Sequence, residues 1–528
     1  MSSRYPMTLP ALFERVFAKY ADRVALVDRD RSVTFGELAD RSARFATALG
    51  NAEIGIEDRV GVLLPNGIRF AAVDLGILRA GATRLPLNPQ HTGDELAYLL
   101  EDADAELLVC ADDTVDAVAD ALKALPEPDV SVVVAGDLPG SRPADVEWDR
   151  YDEFLAPDGT PSRFPRPEPE QVAGHFYTGG TTGRPKGVHY THRCLVENFQ
   201  AVVTEFGFSG TDVGLLAPPL SHSAGTFCYG ALLAGGEVHL RNGFDSRDLV
   251  DAIARQEVTW TFLVPTMIYR LLDAEPAHVD LASLERIIYG AAPIRTARLE
   301  EAIELFGPIF HQFYGQTEVP NLITSFPPQE HQHALAADDV DRLASAGTPC
   351  LRTTVSVRDR ETDEELPAGE VGEIVVTAPY TFDGYHDDPD ATRETLRDGW
   401  VYTGDIGVLD EDGYLTLLDR ESDVIVTGGM NVYSKAVERV VLEHPAVEEA
   451  VVVGVPHEEW GEAVHAVVVA DDSVDTAAIR EFVGERLASY KKPKSVSVVD
   501  ALPETALGKI DRTAVRERYW TDEDRSIG

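Results

Sequence analysis

From Tyr177 to Val188 the chain reads Tyr-Thr-Gly-Gly-Thr-Thr-Gly-Arg-Pro-Lys-Gly-Val. Gly179, Gly180 and Gly183 let backbone N–H groups approach an anion closely. Thr178, Thr181 and Thr182 add hydroxyl donors, and Lys186 adds a cation. Together they suit a polyphosphate. The Gly-Lys-Ser/Thr order of the Walker pattern is absent. On these residues alone a plain Gly/Thr surface turn remains the alternative. Lysine is scarce, occurring only at 19, 123, 186, 435, 491, 492, 494 and 509, so a lysine inside a motif stands out.

Such a loop needs strands to hold it. Val24–Val27, Arg59–Leu64 and Glu106–Cys110 read as buried strands, and Phe35–Leu49 and Phe70–Ala80 as helices. Strands alternating with helices predict a parallel α/β sheet covered on both faces. The Pro-rich, charged stretch 158–170 ends that pattern and reads as a crossing between lobes. Further strands are expected at Gly214–Ala217, Thr261–Val264 and Arg286–Tyr289. From Cys350 to Leu418 the pattern turns to β-alternation, and a compact α+β stretch follows, with strands at Ala450–Val455 and His465–Ala470. The expected class is α/β: a large N-terminal domain (1–420) of two parallel α/β lobes plus a β-rich subdomain, and a small mobile α+β C-terminal domain (421–528).

Composition narrows the function. The chain has 528 residues, too many for one ordinary core. Its 90 acidic against 46 basic residues give a formal net charge of −44, which disfavours nucleic acid and anionic lipid as partners. An acid-rich, lysine-poor surface suggests a salt-loving organism, where dissolved ions screen self-repulsion. No apolar stretch is long enough to span a bilayer and the N-terminus has no secretory pattern, so a cytoplasmic location is expected. Cys110, Cys194, Cys228 and Cys350 are widely spaced and read as reduced, mostly buried thiols.

The loop ending in Pro-Lys-Gly resembles the signature of the acyl-adenylate-forming superfamily of acyl-CoA synthetases, luciferases and adenylation domains, and the resemblance runs from Leu9 to about Arg516. It implies ATP, Mg2+ and coenzyme A as cofactors and cosubstrate. Gly179 stands where the family usually has serine. Tyr314-Gly315-Gln316-Thr317-Glu318 is similar to the second signature, which implies that Thr317 contacts the α-phosphate and Glu318 helps hold magnesium. Gly290-Ala291-Ala292-Pro293 resembles the turn packed against adenine, Asp405 the ribose-binding aspartate, and Arg420 the arginine that contacts the ribose before the interdomain hinge. The hinge position is Ser422, where lysine or aspartate is usual. Gly428 and Gly429 match the turn that approaches the pantetheine arm; the glutamate that follows in the family is Ala436 here, so no role passes to it. Lys509 matches the catalytic lysine, a cation that offsets the meeting of carboxylate and α-phosphate. His222 resembles the histidine at the junction of acyl pocket and nucleotide and is expected to orient substrate.

The resemblance implies adenylation of a carboxylic acid followed by transfer to CoA, with the C-terminal domain swinging about Ser422 between the two half-reactions. Gly315 replaces the tryptophan that closes the pocket of acetyl-CoA synthetases. Phe227–Leu233, Phe310–Phe313 and Val319–Thr324 offer mainly apolar walls, so a medium- or long-chain fatty acid or an aromatic acid is expected. The alternatives are a stand-alone enzyme that loads a carrier protein, luciferase-type oxygenation, and an inactive nucleotide- or acyl-binding regulator. Nothing in the sequence fixes the oligomeric state.

Overall fold

The computed structural model describes residues 7–520 apart from 30, 127–128, 141, 145, 158–163, 165, 179–184, 275–280, 458–459, 471–473 and 504–509. The chain divides into two compact units. One holds residues 7–178, 186–354 and 376–401; the other holds 185, 355–375 and 402–520.

The first unit is built on two sheets. In the nine-stranded sheet, the strands Phe310–Tyr314, Arg286–Gly290, Trp260–Leu263, Val213–Leu216, Glu237–Leu240 and Val24–Asp28 run parallel in that order, with antiparallel strands at both edges. In the eight-stranded sheet, Val172–Tyr177, Thr83–Pro86, Arg59–Leu63, Ala105–Ala111, Ser131–Ala135 and Trp148–Arg150 are parallel. Gly187–Thr191 and Gly384–Tyr385 extend it antiparallel beyond Val172–Tyr177. The strands and helices expected from the apolar runs are therefore present, and the fold is α/β.

Local sequence explains the helix boundaries. Phe35–Asn51 starts at a capping box: Thr34 accepts from the Glu37 N–H and the Glu37 carboxylate accepts from the Thr34 N–H, an arrangement worth about 1 kcal/mol. Ile68–Ala80 begins two residues before the expected Phe70 and stops at Gly81, whose φ of +80° ends a helix at no steric cost. Nearly every residue of that helix is buried, as an internal helix requires.

One ionic group sits in this interior. Arg84 pairs with Asp74, and the Tyr229 hydroxyl donates to the same Asp74 oxygen. Asp74 is fully buried. Arg84 also lies 5.0 Å from the Phe176 ring centroid, which ties the group to the strand that leads into the phosphate loop. The four cysteines are free and buried, as expected.

The second unit carries the β-rich segment and the C-terminal α+β part. Trp400–Leu409 and Leu415–Arg420 pair antiparallel. Farther along, Met430–Val432, Ile425–Thr427, Gly461–Ala470 and Val447–His457 form an antiparallel sheet, joined in parallel by Ser495–Val499. Side-chain alternation explains its two faces. Val452, Val464, Ala466 and Val468 pack with Val437, Val441, Ile479 and Val483 from two helices. Val451, Val453 and Val467 point the other way, to Leu502 and Val515.

Across the expected boundary at residue 420, Asp419 and Ser434 are joined by two hydrogen bonds. Among the described residues no helix is long and apolar enough to cross a membrane.

Candidate functional site

The ends of two antiparallel strands carry the phosphate loop. Tyr177 lies opposite Gly187, the Thr178 N–H donates to the Lys186 carbonyl at 3.1 Å, and the Lys186 N–H donates to Thr178 Oγ1 at 3.3 Å. These bonds close the neck of the loop; Gly179, Gly180, Thr181, Thr182 and Gly183 lie outside the described residues. Below the neck, the Tyr177 hydroxyl donates to Asp102 at 2.7 Å. Burial and this carboxylate push the phenol far above its usual range, so Tyr177 stays a donor at neutral pH.

The turn Gly290–Pro293 and the segment Tyr314–Glu318 are neighbours. Gly290 pairs with Phe313 across parallel strands, so the turn that follows Gly290 and the segment from Tyr314 leave the sheet side by side at its carboxyl edge, where α/β sheets place their ligands. Tyr289 is anchored beneath by His331 at 2.8 Å. Gly290 has a packing reason: a Cβ there would lie 2.3 Å from the Phe313 carbonyl oxygen. Ala291 has φ +64°, a left-handed conformation costly for alanine, and Ala292 and Pro293 complete the turn. Strain of this kind gathers at binding sites.

The second signature forms a closed loop. Ile323 N–H donates to the Tyr314 carbonyl at 2.8 Å and Gln316 N–H to the Val319 carbonyl at 3.2 Å. Within it, Gly315 would place a Cβ 2.5 Å from Asn321 Cα, so the absence of a side chain is what lets the two backbones cross. The Thr317 carbonyl accepts from the Tyr190 hydroxyl. Half-buried Glu318 accepts from the Tyr385 hydroxyl at 2.6 Å, and Lys186 Nζ stands 5.0 Å from the Tyr385 ring centroid. Glu318, Tyr385 and Lys186 therefore meet at the loop neck. A carboxylate at the neck of a loop that suits phosphates fits Mg2+, which takes few protein ligands and the rest from substrate phosphates.

His222 caps the helix Ser223–Ala234 after the strand Val213–Leu216, with its carbonyl accepting from the Gly225 N–H. Phe227 and Phe313, both expected as pocket walls, sit in one aromatic cluster with Phe206 and Phe262, at centroid separations of 5.0–6.5 Å.

In the second unit Asp405 and Arg420 are direct cross-strand partners, with Arg420 Nε 3.2 Å from the Asp405 carboxylate. Gly428 and Gly429, at φ +58° and +78°, turn the chain between Ile425–Thr427 and Met430–Val432. Lys509 lies outside the described residues. Ser422 belongs to a short 3-10 turn, and its carbonyl accepts from Arg516 at 3.2 Å. Ala436 lies in the first turn of the helix Ser434–Leu442.

Sequence reasoning missed several of these neighbours. Tyr385 has no motif of its own. Trp460 backs the Gly428 turn by accepting its N–H at 2.9 Å; the indole is stacked 4.4 Å from His457, with Lys494 Nζ 4.2 Å from the ring. Asp419 is buried, and burial raises its carboxyl to about 6 against the opposing pull of Arg512 and Lys435.

Residues 13–386 match the family described as AMP-binding enzyme, and residues 436–509 match the AMP-binding enzyme C-terminal domain. The chain belongs to the AMP-binding enzyme family, the acyl-adenylate-forming enzymes. Among curated members it is 37% identical to the medium/long-chain-fatty-acid–CoA ligase FadD8 of Mycobacterium tuberculosis, over 97% of this chain and 90% of that one. It is 36% identical to a feruloyl-CoA synthase of an Amycolatopsis species, over 92% and 94%. The amide bond synthetase McbA of Marinactinospora thermotolerans superposes with a TM-score of 0.85 at 33% identity, covering 97% of this chain and 99% of that structure.

Proposed function

We propose that this member of the family is an AMP-forming carboxylic acid:CoA ligase acting on a medium- or long-chain fatty acid or an aromatic acid. The observation that carries the reading is the meeting of Glu318, Tyr385 and Lys186 at the neck of the phosphate loop, within a chain related throughout to acid–CoA ligases.

In this reading a carboxylate oxygen of the acid attacks the α-phosphorus of ATP, the bond to the β-phosphate oxygen breaks, and pyrophosphate leaves with that electron pair. Lys186 and the loop from Thr178 hold the phosphates, Thr317 contacts the α-phosphate, and the turn Gly290–Pro293 flanks adenine. Tyr314, Gly315 and Gln316 complete the nucleotide wall. Asp405 accepts the ribose hydroxyls, with Arg420 beside it. His222 orients the acid. Glu318 would hold Mg2+, which when bound offsets phosphate charge, and Tyr385 fixes the orientation of that carboxylate. Lys509 stabilises the attacking anion.

In the second half-reaction the CoA thiolate attacks the acyl carbon and AMP departs. Gly428 and Gly429 admit the pantetheine arm after the segment beyond Arg420 turns about Ser422, with 1–420 and 421–528 as the moving parts. The aromatic and basic backing of the glycine turn by Trp460 and Lys494 favours a thiol carried on an anionic nucleotide.

The experiment incubates full-length protein with ATP, Mg2+ and CoA against acids from acetate through long fatty acids to benzoate and cinnamates, following AMP and acyl-CoA together. Both products are expected for longer fatty or aromatic acids. Pyrophosphate without acyl-CoA would move the acceptor to a carrier protein or an amine, and no turnover with any acid would leave a nucleotide- or acyl-binding regulator. Lys509→Ala should abolish adenylation while keeping thioester formation from supplied acyl-AMP.

A further inference from the structure

The strands at the root of the phosphate loop carry a cluster that the ligase chemistry does not use. His175 lies opposite His189 in the antiparallel pairing of Val172–Tyr177 with Gly187–Thr191, and Gly384 lies opposite His189 on its other side. His386, two residues past Gly384, falls on the same face. Its backbone N–H donates to the Gly187 carbonyl at 2.7 Å, fixing the third strand in register. The three imidazole centroids are 4.9, 4.9 and 5.0 Å apart, and one ring nitrogen from each lies within 4.8 Å of the others.

Two further observations point to a ligand. His175 is 0% exposed, and among the described residues neither of its ring nitrogens has a hydrogen-bond partner; His386 Nε2 has none either. Buried polar groups are ordinarily paired, and an unpaired one in a native structure asks for a missing ion or water. Gly187 leaves room for the ring: a Cβ there would lie 2.0 Å from His175 Nε2.

We propose that His175, His189 and His386 form a site for a divalent transition-metal ion, Zn2+ foremost, that clips together the three strands at the root of the phosphate loop. Three imidazoles suit zinc, cobalt, nickel or copper and do not suit magnesium or calcium, which prefer oxygen. Bonds of about 2.0–2.1 Å bring the ligating nitrogens to roughly 3.3 Å from one another, which the rings reach by side-chain rotation. A water completes the coordination. The clip would fix the spacing of Thr178 and Lys186, the two ends of the loop, through their own strands.

The test titrates chelator-treated, full-length protein with Co2+ in a large excess of Mg2+, which occupies the acidic surface. One Co2+ per chain is expected, with the visible absorption of a nitrogen-ligated, low-coordinate ion, displaced by one equivalent of Zn2+. His189→Ala and His386→Asn should each weaken binding at least tenfold and abolish the rise in Tm that Zn2+ gives the unsubstituted chain. Circular dichroism would check that both variants are folded. Glu318→Gln should leave the Co2+ spectrum unchanged. Absence of the absorption band, or a band that survives both histidine substitutions, overturns the proposal and leaves three imidazole rings packed for their apolar area. No ATP or acid enters the assay, so it stands or falls apart from the ligase reading.

Discussion

The Tyr385 hydroxyl donates to Glu318 Oε1 at 2.6 Å while the face of the same ring lies 5.0 Å from Lys186 Nζ. One side chain thus bridges the carboxylate proposed to hold Mg2+ and the ammonium proposed to hold the phosphates. Tyr385→Phe keeps the ring and removes the hydrogen bond. A hydrogen bond to a charged group contributes about 1.5–3 kcal/mol, so adenylation kcat/KM should fall by roughly 10- to 100-fold. The loss should be steeper at low Mg2+. A pyrophosphate-release assay across Mg2+ concentrations checks this, and Tyr385→Ala should be worse.

Asp74 gives a stability prediction far from the chemistry. Its carboxylate is fully buried between Arg84 and Tyr229. Removing one partner of a buried pair leaves an uncompensated charge, at about 3–5 kcal/mol. Asp74→Ala should lower the urea midpoint of the first unit accordingly. Replacing Asp74 and Arg84 together by apolar residues should recover much of the loss.

Asp419 predicts a pH effect in the second unit. Its carboxyl is raised from an ordinary value of 3.8 to about 6, chiefly by burial. The folded state therefore holds the proton more tightly than the unfolded state. The stabilisation is fully present below about pH 4 and is lost as pH rises through about 6, a change of roughly 3 kcal/mol. Asp419→Asn keeps an acceptor oxygen for the Ser434 N–H. It should flatten the pH dependence of unfolding between about pH 4 and 6, measured by denaturant titration at a series of pH values.

The formal net charge of −44 predicts a salt effect. Self-repulsion among exposed carboxylates weakens as the Debye length falls from about 10 Å at 0.1 M to about 3 Å at 1 M. Tm should climb steadily between those concentrations in KCl. A Tm that is flat or falls over that range would remove the case for a salt-adapted surface.

Periodicity made the sheets legible: Val24–Asp28, Arg59–Leu63 and Ala105–Ala111 were readable because parallel strands buried on both faces are nearly continuous apolar runs. The pairing of Asp405 with Arg420 follows from a local hairpin, so two motif residues close in sequence meet in space. Tyr385 was not legible because its partner lies 67 residues away and its strand is two residues long, too short for any pattern. The three-histidine face was hidden for the same reason, since it needs the register of strands that only the fold brings together. The bonds of Asp419 to Ser434 and of Arg360 to Glu421, which tie 355–375 and 402–420 to the residues that follow, join positions that share no local pattern.

The backbone crossing at Gly315 constrains how this enzyme can change its diet. Any side chain there meets Asn321 Cα, and Asn321 already has φ +64°. Bulk at position 315 is therefore incompatible with the present path of the loop. In the proposed reading, where Gly315 borders the acid, a shift to short acids through bulk at this position requires the segment around Asn321 to be rebuilt in the same step.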